Sequence, residues 1–210
     1  MKRMTLAIFA ALLMASTSFA ATQAANTNTV APTLQISATI QKAVSLTLAT
    51  GTTGGVTHCA VVATGAAPDY TMNFGTVDAL GINGGNCSKF NPATPGVTDA
   101  IYWTDYQVTP VFTSHTAVSG TTVTAQVTTD FAAPHNIFVV RDTANSNTVP
   151  AGVGSFSAMG TSSADTIGAA GVASGTALTR FIGVGVKPDN GATVLQGAQT
   201  ATVTFTLTVQ

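Results

Sequence analysis

Apolar and polar residues alternate along much of the chain, most clearly in the run "TLQISATIQKAVSLTL" at residues 33–48. One face of this segment is apolar, and the other consists almost entirely of Thr, Gln and Ser. Such a period of two predicts a β-strand with one buried face. The run is roughly three times as long as an ordinary strand of about five or six residues. Its apolar stripe, at even positions, consists of Leu34, Ile36, Ala38, Ile40, Val44, Leu46 and Leu48.

Most of the remaining chain has the pattern of short strands separated by Gly, Asn and Pro turns. Val123, Ala125 and Val127 share one face, and the chain ends on a strand whose threonines separate apolar residues. Many short strands with turn signals between them are typical of a β-sandwich, so we predict an all-β, immunoglobulin-like sandwich as a single domain over 42–210. The other strand candidates are "CAVVA" at 59–63, "YTMNFGTV" at 70–77, "DAIYWTDYQVTPVFTS" at 99–114, "NIFVVR" at 136–141 and "RFIGVGVKP" at 180–188.

Two segments do not have the pattern of an ordinary strand in such a fold. Pro110 interrupts the aromatic segment 99–114 and cannot donate a backbone hydrogen bond, so we expect it at a strand edge or a bulge. Residues 151–179 are rich in Gly, Ala, Ser and Thr and contain few large side chains. We predict that they form a long surface excursion carrying one or two weak strands.

Residues 1–20 have the organisation of a secretory signal peptide. Lys2 and Arg3 form a basic start, "LAIFAALLM" is a short apolar core, and cleavage is expected after Ala20, with Ala24 as the second choice. The apolar core is shorter than the ~20 residues that span a bilayer. We therefore expect a secreted protein with a flexible leader at 21–33 and no transmembrane segment in the mature chain.

The charge content is low. All eight acidic residues are Asp, there is no Glu, and loss of Lys2 and Arg3 with the signal peptide changes the formal net charge from −1 to −3. The sparse basic residues argue against a nucleic-acid partner, which would require a clustered basic face. A surface with so little charge would suit a protein that contacts copies of itself, although many secreted β proteins share this composition.

The two cysteines, Cys59 and Cys87, are an even number in an exported chain and predict one disulfide. A loop of about 28 residues closed in this way would contribute roughly 3 to 4 kcal/mol on the chain-entropy model. A metal site is not expected, because His58 neighbours Cys59 but His115 and His135 have no ligand spacing. No sequence signal indicates a cofactor.

Catalytic motifs are absent from the sequence. Ser155 lacks the Gly-x-Ser-x-Gly spacing, and Asp99 and Asp105 flank "AIYWT" without further support for paired carboxylate chemistry, so we do not expect an enzyme. A binding module is the rival hypothesis: Tyr70, Tyr102, Trp103 and Tyr106 could form an aromatic platform for a carbohydrate. The alternative for Trp103 is a place in the core of the sandwich.

Three elements resemble a known group. "ISATIQKAVSLTL", "MNFGTV" and a Thr-alternating final strand are similar to bacterial secreted β-sandwiches. These are the spore coat protein U domain, including the pilins of archaic chaperone–usher pili, and a related domain of unknown function with the same Asn-Phe-Gly-Thr element. The resemblance covers both ends of the mature chain and not roughly 90 to 195. Many of the pilins have a cysteine at the first strand, and this chain has none between Ala43 and Ser45.

The resemblance implies an incomplete sandwich that is completed by the N-terminal strand of the next subunit. It further implies a structural subunit of an extracellular fibre (a fimbrium) or surface layer that passes through the periplasm, self-assembles and serves cell adhesion. Its partners would be copies of itself, a periplasmic chaperone and an outer-membrane usher. The alternative function is a monomeric secreted carbohydrate- or surface-binding module. The implied donor strand contains Leu34, Ile36, Ala38 and Ile40, and the implied acceptor edge contains Val203, Phe205, Leu207 and Val209.

Lys42 falls on the apolar parity and interrupts the stripe. This favours two elements, a candidate donor strand at 34–41 and a first domain strand at 44–48. The alternative is one bent strand that serves both sheets of its own sandwich, since pairing within a chain is the common case.

Overall fold

The computed structural model describes residues 34–38, 43–113, 120–168, 171–188 and 196–209. The predicted signal peptide, the predicted leader at 21–33 and Ile40 of the predicted donor strand lie outside the described residues. The chain divides into the units Met1–Ile40 and Gln41–Gln210, and every described strand belongs to the second.

The described residues form antiparallel sheets and contain no α-helix, which confirms the predicted all-β, sandwich-like fold. The larger sheet has the order β1-β5-β10-β7-β8, with β4 also paired to β5; a second sheet has the order β11-β6-β9, and β2 pairs with β3. A 3-10 turn, Val153–Ser155, precedes β8. The strands are β1 Val44–Thr50, β2 Val61–Ala63, β3 Tyr70–Met72, β4 Ser88–Phe90, β5 Ala100–Phe112, β6 Thr122–Thr129, β7 Ile137–Asp142, β8 Phe156–Ala158, β9 Asp165–Gly168, β10 Leu178–Val186 and β11 Thr202–Thr208.

The thirteen-residue strand β5 organises the core because both of its faces are buried. Its even-numbered side chains, such as Tyr106 and Val108, pack in the main core with Ala125 of β6. Its odd-numbered side chain Trp103 belongs to a second cluster that includes Phe181 of β10. Burial on two faces explains why this segment begins with four consecutive apolar residues, Ala100 to Trp103, rather than alternating.

Pro110 lies where β5 has lost one neighbour. The pairing of β10 with β5 ends at Val108, whereas β1 continues alongside and places Leu46 opposite Pro110. On the side that β10 has left, the N–H of Gly175 donates to the Pro110 carbonyl. The expectation of an edge position for this proline is confirmed. Its nitrogen faces the side on which β5 has no paired strand, so the missing N–H removes no ladder hydrogen bond.

The prediction of a surface excursion at 151–179 is wrong in part. The segment carries two short strands, β8 and β9, as expected, but Met159, Ile167 and Val172 are buried. Ile167 faces the core because β9 is the third strand of the second sheet, and Met159, which follows β8, packs in the same core cluster. The small residues allow close packing, since a Cβ on Gly168 would lie 2.8 Å from the side chain of Leu178.

The disulfide between Cys59 and Cys87 is present, as predicted. It joins the segment before β2 to the segment before β4. The candidate strand "YTMNFGTV" is shorter than predicted, because β3 ends at Met72 and a turn follows. In that turn the Asn73 side chain accepts a hydrogen bond from the N–H of Gly75, whose φ is +73°.

Candidate assembly site at the open sheet edges

The two main sheets each end in a strand with one free side. In the described part of the chain, β1 pairs only with β5, and β11 pairs only with β6. Cα atoms of β1 and β11 approach within 8 Å, yet the two strands do not pair. The edges of both sheets therefore lie side by side with their outer backbone groups unpaired among these residues.

The free side of β11 can be assigned residue by residue. The N–H of Val127 in β6 donates to Gly160, on the side away from β11. Val127 faces Val203, and opposed residues of an antiparallel pair point their backbone groups either both toward or both away from each other. Val203 therefore directs its N–H and C=O away from β6, and by alternation so do Phe205 and Leu207.

The same residues of β11 carry its apolar side chains. Val203, Phe205 and Leu207 are half-buried and pack against the main core. The Phe205 ring lies 5.6 Å from the ring of Tyr106, edge to face. Val209, the fourth predicted acceptor residue, follows the end of β11 and is also half-buried.

Strand β1 has the same arrangement. The N–H and C=O of Phe112 both bond to the Ser174 hydroxyl, on the side of β5 away from β1. Val44 is opposite Phe112, so it points its backbone groups to the free edge, and alternation assigns Leu46 and Leu48 the same direction. Leu46 and Leu48 are half-buried against the core, and Val44 is 62% exposed.

Neither edge strand carries a charged residue or a proline, two of the features that usually block strand addition. Their sequences are "VSLTLAT" in β1 and "TVTFTLT" in β11. A register shift occurs only at Thr202/Val203, at the start of β11. Proteins that remain monomeric commonly protect edge strands with Lys, Pro or bulges, because a free ladder recruits other strands.

The predicted donor residues are open to solvent. Leu34 and Ile36 are each 85% exposed, and Ala38 is exposed as well. Residues 34–38 are not in a strand, and the first strand of the domain begins at Val44. Large apolar side chains exposed at alternate positions are what an added strand would bury.

The aromatic platform of the rival hypothesis is not accessible. Tyr102, Trp103 and Tyr106 are all buried. Trp103 stacks on Phe90, with ring centroids 5.2 Å apart. Burial also raises the pKa of the Tyr106 hydroxyl. These side chains stabilise the core and offer no surface to a sugar, while Tyr70 alone is partly exposed.

Two acidic side chains, Asp105 and Asp165, serve structural contacts. Asp105 is fully buried and accepts hydrogen bonds from the Thr53 N–H, at 2.8 Å, and shares one with His58 Nδ1, at 2.6 Å. Although burial alone would raise it, the pKa of Asp165 is lowered by hydrogen bonds from Arg141 and from the Gly160 N–H. Within the described ranges, no three His, Cys, Asp or Glu side chains are grouped as a metal ion would require.

Comparison with known proteins adds no assignment. No protein-family model matches the chain, and no curated protein and no solved structure is significantly similar to it. No helix in the described part of the chain has the length and apolar character needed to cross a membrane.

Proposed function

We propose that the protein is a structural subunit of an extracellular fibre or surface layer, in which residues 34–41 of one copy complete the open sheet edge of the next. The observation that carries this proposal is the double role of Val203, Phe205 and Leu207. They direct outward backbone groups that have no partner among the described residues, and they direct half-buried apolar side chains toward the core. An incoming strand would gain a hydrogen-bond ladder and bury alternate side chains in one step.

The candidate donor segment has the matching chemistry. Leu34, Ile36, Ala38 and Ile40 alternate with Gln35, Ser37 and Thr39 in the sequence. Complete burial of a side chain such as Leu34 or Ile36 contributes about 1.5–3 kcal/mol. Each backbone hydrogen bond of the ladder adds about 1 kcal/mol net. A joint of this kind would persist because several such contributions must be lost together.

The partners of the protein are then copies of itself. The resemblance to archaic pilins adds a periplasmic chaperone, which would protect the open edge before assembly, and an outer-membrane usher. It also places the assembled protein at the cell surface after passage through the periplasm, with a role in adhesion. An enzymatic role has no place in this proposal.

A first experiment is gel electrophoresis of native material without boiling. We expect a ladder of SDS-resistant species that collapses to one band on heating. Deletion of 21–41 should abolish the ladder while the disulfide-bonded domain is still exported. Normal assembly of the truncated protein, or native material that consists only of unlinked single molecules, would refute the proposal.

Point variants separate the two halves of the joint. Ile36→Lys places a charge on the apolar parity of the donor, and Gln35→Lys places the same charge on its polar parity. Leu207→Lys and Thr206→Lys form the corresponding pair on β11, where Thr206 is exposed. We expect only the Ile36 and Leu207 variants to stop assembly.

Mixing the two inactive variants tests the direction of exchange. The Ile36→Lys protein retains an intact acceptor edge, and the Leu207→Lys protein retains an intact donor. Together they should form a one-to-one complex that grows no further. A mixture that stays monomeric, although both variants have the thermal stability of the parent, would contradict strand exchange.

A further inference from the structure

A pocket on the opposite side of the larger sheet carries an inference that is independent of the assembly edge. The loop after β7 and the segment before β8 line an open pocket of about 340 Å³, within the size range of small-ligand sites. Its floor includes Asp142, the last residue of β7, which is only 3% exposed. The pocket is lined by Asp142, Thr143, Ala144, Ser146, Thr148, Val149, Pro150, Ala151, Gly154 and Ser155.

The carboxylate of Asp142 is deeply buried, yet it accepts only long hydrogen bonds. Its Oδ1 accepts a hydrogen bond from the Phe181 N–H at 3.4 Å, and its Oδ2 accepts one from the Ser146 N–H at 3.3 Å. Both are long for hydrogen bonds to a carboxylate. Among the described residues it has no ion pair, and buried charges are normally paired.

The guanidinium groups of the two nearby arginines donate hydrogen bonds to groups other than this carboxylate. Arg141 donates from Nη2 to Asp165 at 2.8 Å, and from Nη1 to the backbone carbonyl of Asp142. Arg180 donates to the backbone carbonyls of Ile167 and Thr179. Neither guanidinium therefore bonds to the carboxylate of Asp142, although Arg180 interacts with it electrostatically at longer range.

Several backbone N–H groups in the pocket walls are already hydrogen-bonded. The N–H of Thr148 donates to the Ser146 hydroxyl oxygen, and the N–H of Ala151 donates to the Ser155 hydroxyl oxygen. The N–H of Ser146 is bonded to Asp142. An anion would find no donor from these backbone groups and would meet a carboxylate. Val149 and Pro150 add an aliphatic wall.

We propose that this pocket binds a primary ammonium group carried on a short aliphatic chain. The ammonium supplies three N–H donors and a positive charge in direct contact with the carboxylate, which neither arginine provides, while the chain contacts Val149 and Pro150. Asp142 and the hydroxyls of Ser146 and Ser155 are its acceptors. A free alkylamine, a lysine side chain of a partner and an amino sugar share this chemistry.

The test is a titration of the full mature protein with butylammonium chloride, followed by nuclear magnetic resonance shifts of backbone amides at 142–155. We expect saturable shifts confined to that loop, weakened by added salt. Butanol, which has a similar shape and no charge, should bind at least about tenfold more weakly, equivalent to about 1.4 kcal/mol. Equal shifts with both probes, or no saturable shift with butylammonium, would overturn the proposal.

Two variants locate the charge. Asp142→Asn keeps the shape and can keep one of the two hydrogen bonds from backbone N–H groups, but it removes the charge and should reduce butylammonium affinity about tenfold or more. Asp69→Asn, at an exposed position, should leave the affinity unchanged. Unchanged binding by Asp142→Asn would overturn the assignment; if that variant does not fold, the comparison of the two probes on the parent protein still decides. Parallel titrations with a lysine-containing peptide and with glucosamine identify which source binds most tightly.

Discussion

Gly51 is a position at which the addition of a single methyl group should be strongly destabilising. A Cβ built on Gly51 would lie 2.0 Å from Cγ of Asp105 and 2.1 Å from its Oδ2. Two non-bonded heavy atoms cannot approach so closely. Asp105 is fully buried, so its side chain cannot move away into solvent. The variant Gly51→Ala must therefore displace the carboxylate from its hydrogen bonds to Thr53 and His58.

The expected cost follows from those two contacts. Hydrogen bonds that involve a charged group contribute roughly 1.5–3 kcal/mol each. Loss of both should lower the free energy of unfolding by about 3 kcal/mol or more, before any backbone shift is counted. The matched control is Gly54→Ala, in the same turn region, where a Cβ would meet nothing within 4 Å. We expect the control to lie within about 0.5 kcal/mol of the parent.

The assay is urea unfolding of the oxidised protein, followed by fluorescence of Trp103. A double-mutant cycle adds the test of mechanism. In an Asp105→Ala background the carboxylate is gone, and Gly51→Ala should then cost much less than in the parent. If Gly51→Ala is as stable as Gly54→Ala, or if its cost is unchanged in the Asp105→Ala background, the steric explanation is wrong.

Three further predictions concern stability. Trp103→Ala should cost about 3–5 kcal/mol, measured by chemical denaturation, because the ring packs on Phe90, Phe156 and Phe181; a folded variant of parental stability would contradict this. Replacement of Cys59 and Cys87 by Ser should cost roughly 3 to 4 kcal/mol for a separation of 28 residues, and reductant should then no longer affect the melting temperature. The lowered pKa of Asp165 means that its contribution is present above the ordinary carboxyl pKa of about 4 and is lost as the pH falls through the folded-state value. Asp165→Asn should remove this part of the acid-side decline in thermal melts, whereas Asp69→Asn should not.

The sequence predicted strands and their buried sides well where a strand has one solvent-exposed face. In β6 and β11 the threonines face outward and the apolar residues face the core, so alternation alone identified the strands and their buried sides. In β5 both faces are buried, and periodicity therefore could not tell which aromatic residues belong to which core cluster. The aromatic platform hypothesis arose from that ambiguity, which only the packing of Trp103 resolves.

Other features depend on contacts that no local pattern reveals. The burial of Ile167 follows from the pairing of β9 with β6, more than forty positions earlier in the chain. Asp142 stands at the start of "DTANSNTVP", which has the composition of an exposed loop. Its burial results from the loop folding back on the end of β7, and the residue types that line the pocket carry no motif.

The proposed assembly would account for both the low charge of the chain and the open edges of its described sheets. Either feature alone is ordinary, because β-rich secreted proteins are often Thr-rich and every open sheet has two edges. Their combination in a freely diffusing monomer would be a hazard, since neither net repulsion nor an edge lysine would oppose pairing between copies. The alternation of residues along β1 and β11 also favours the assembly proposal. In both strands, the residues that point their backbone groups outward are also the ones whose apolar side chains face the core. A strand that pairs there must place its own alternate side chains against that core, and the segment with exposed Leu34 and Ile36 has the required alternation.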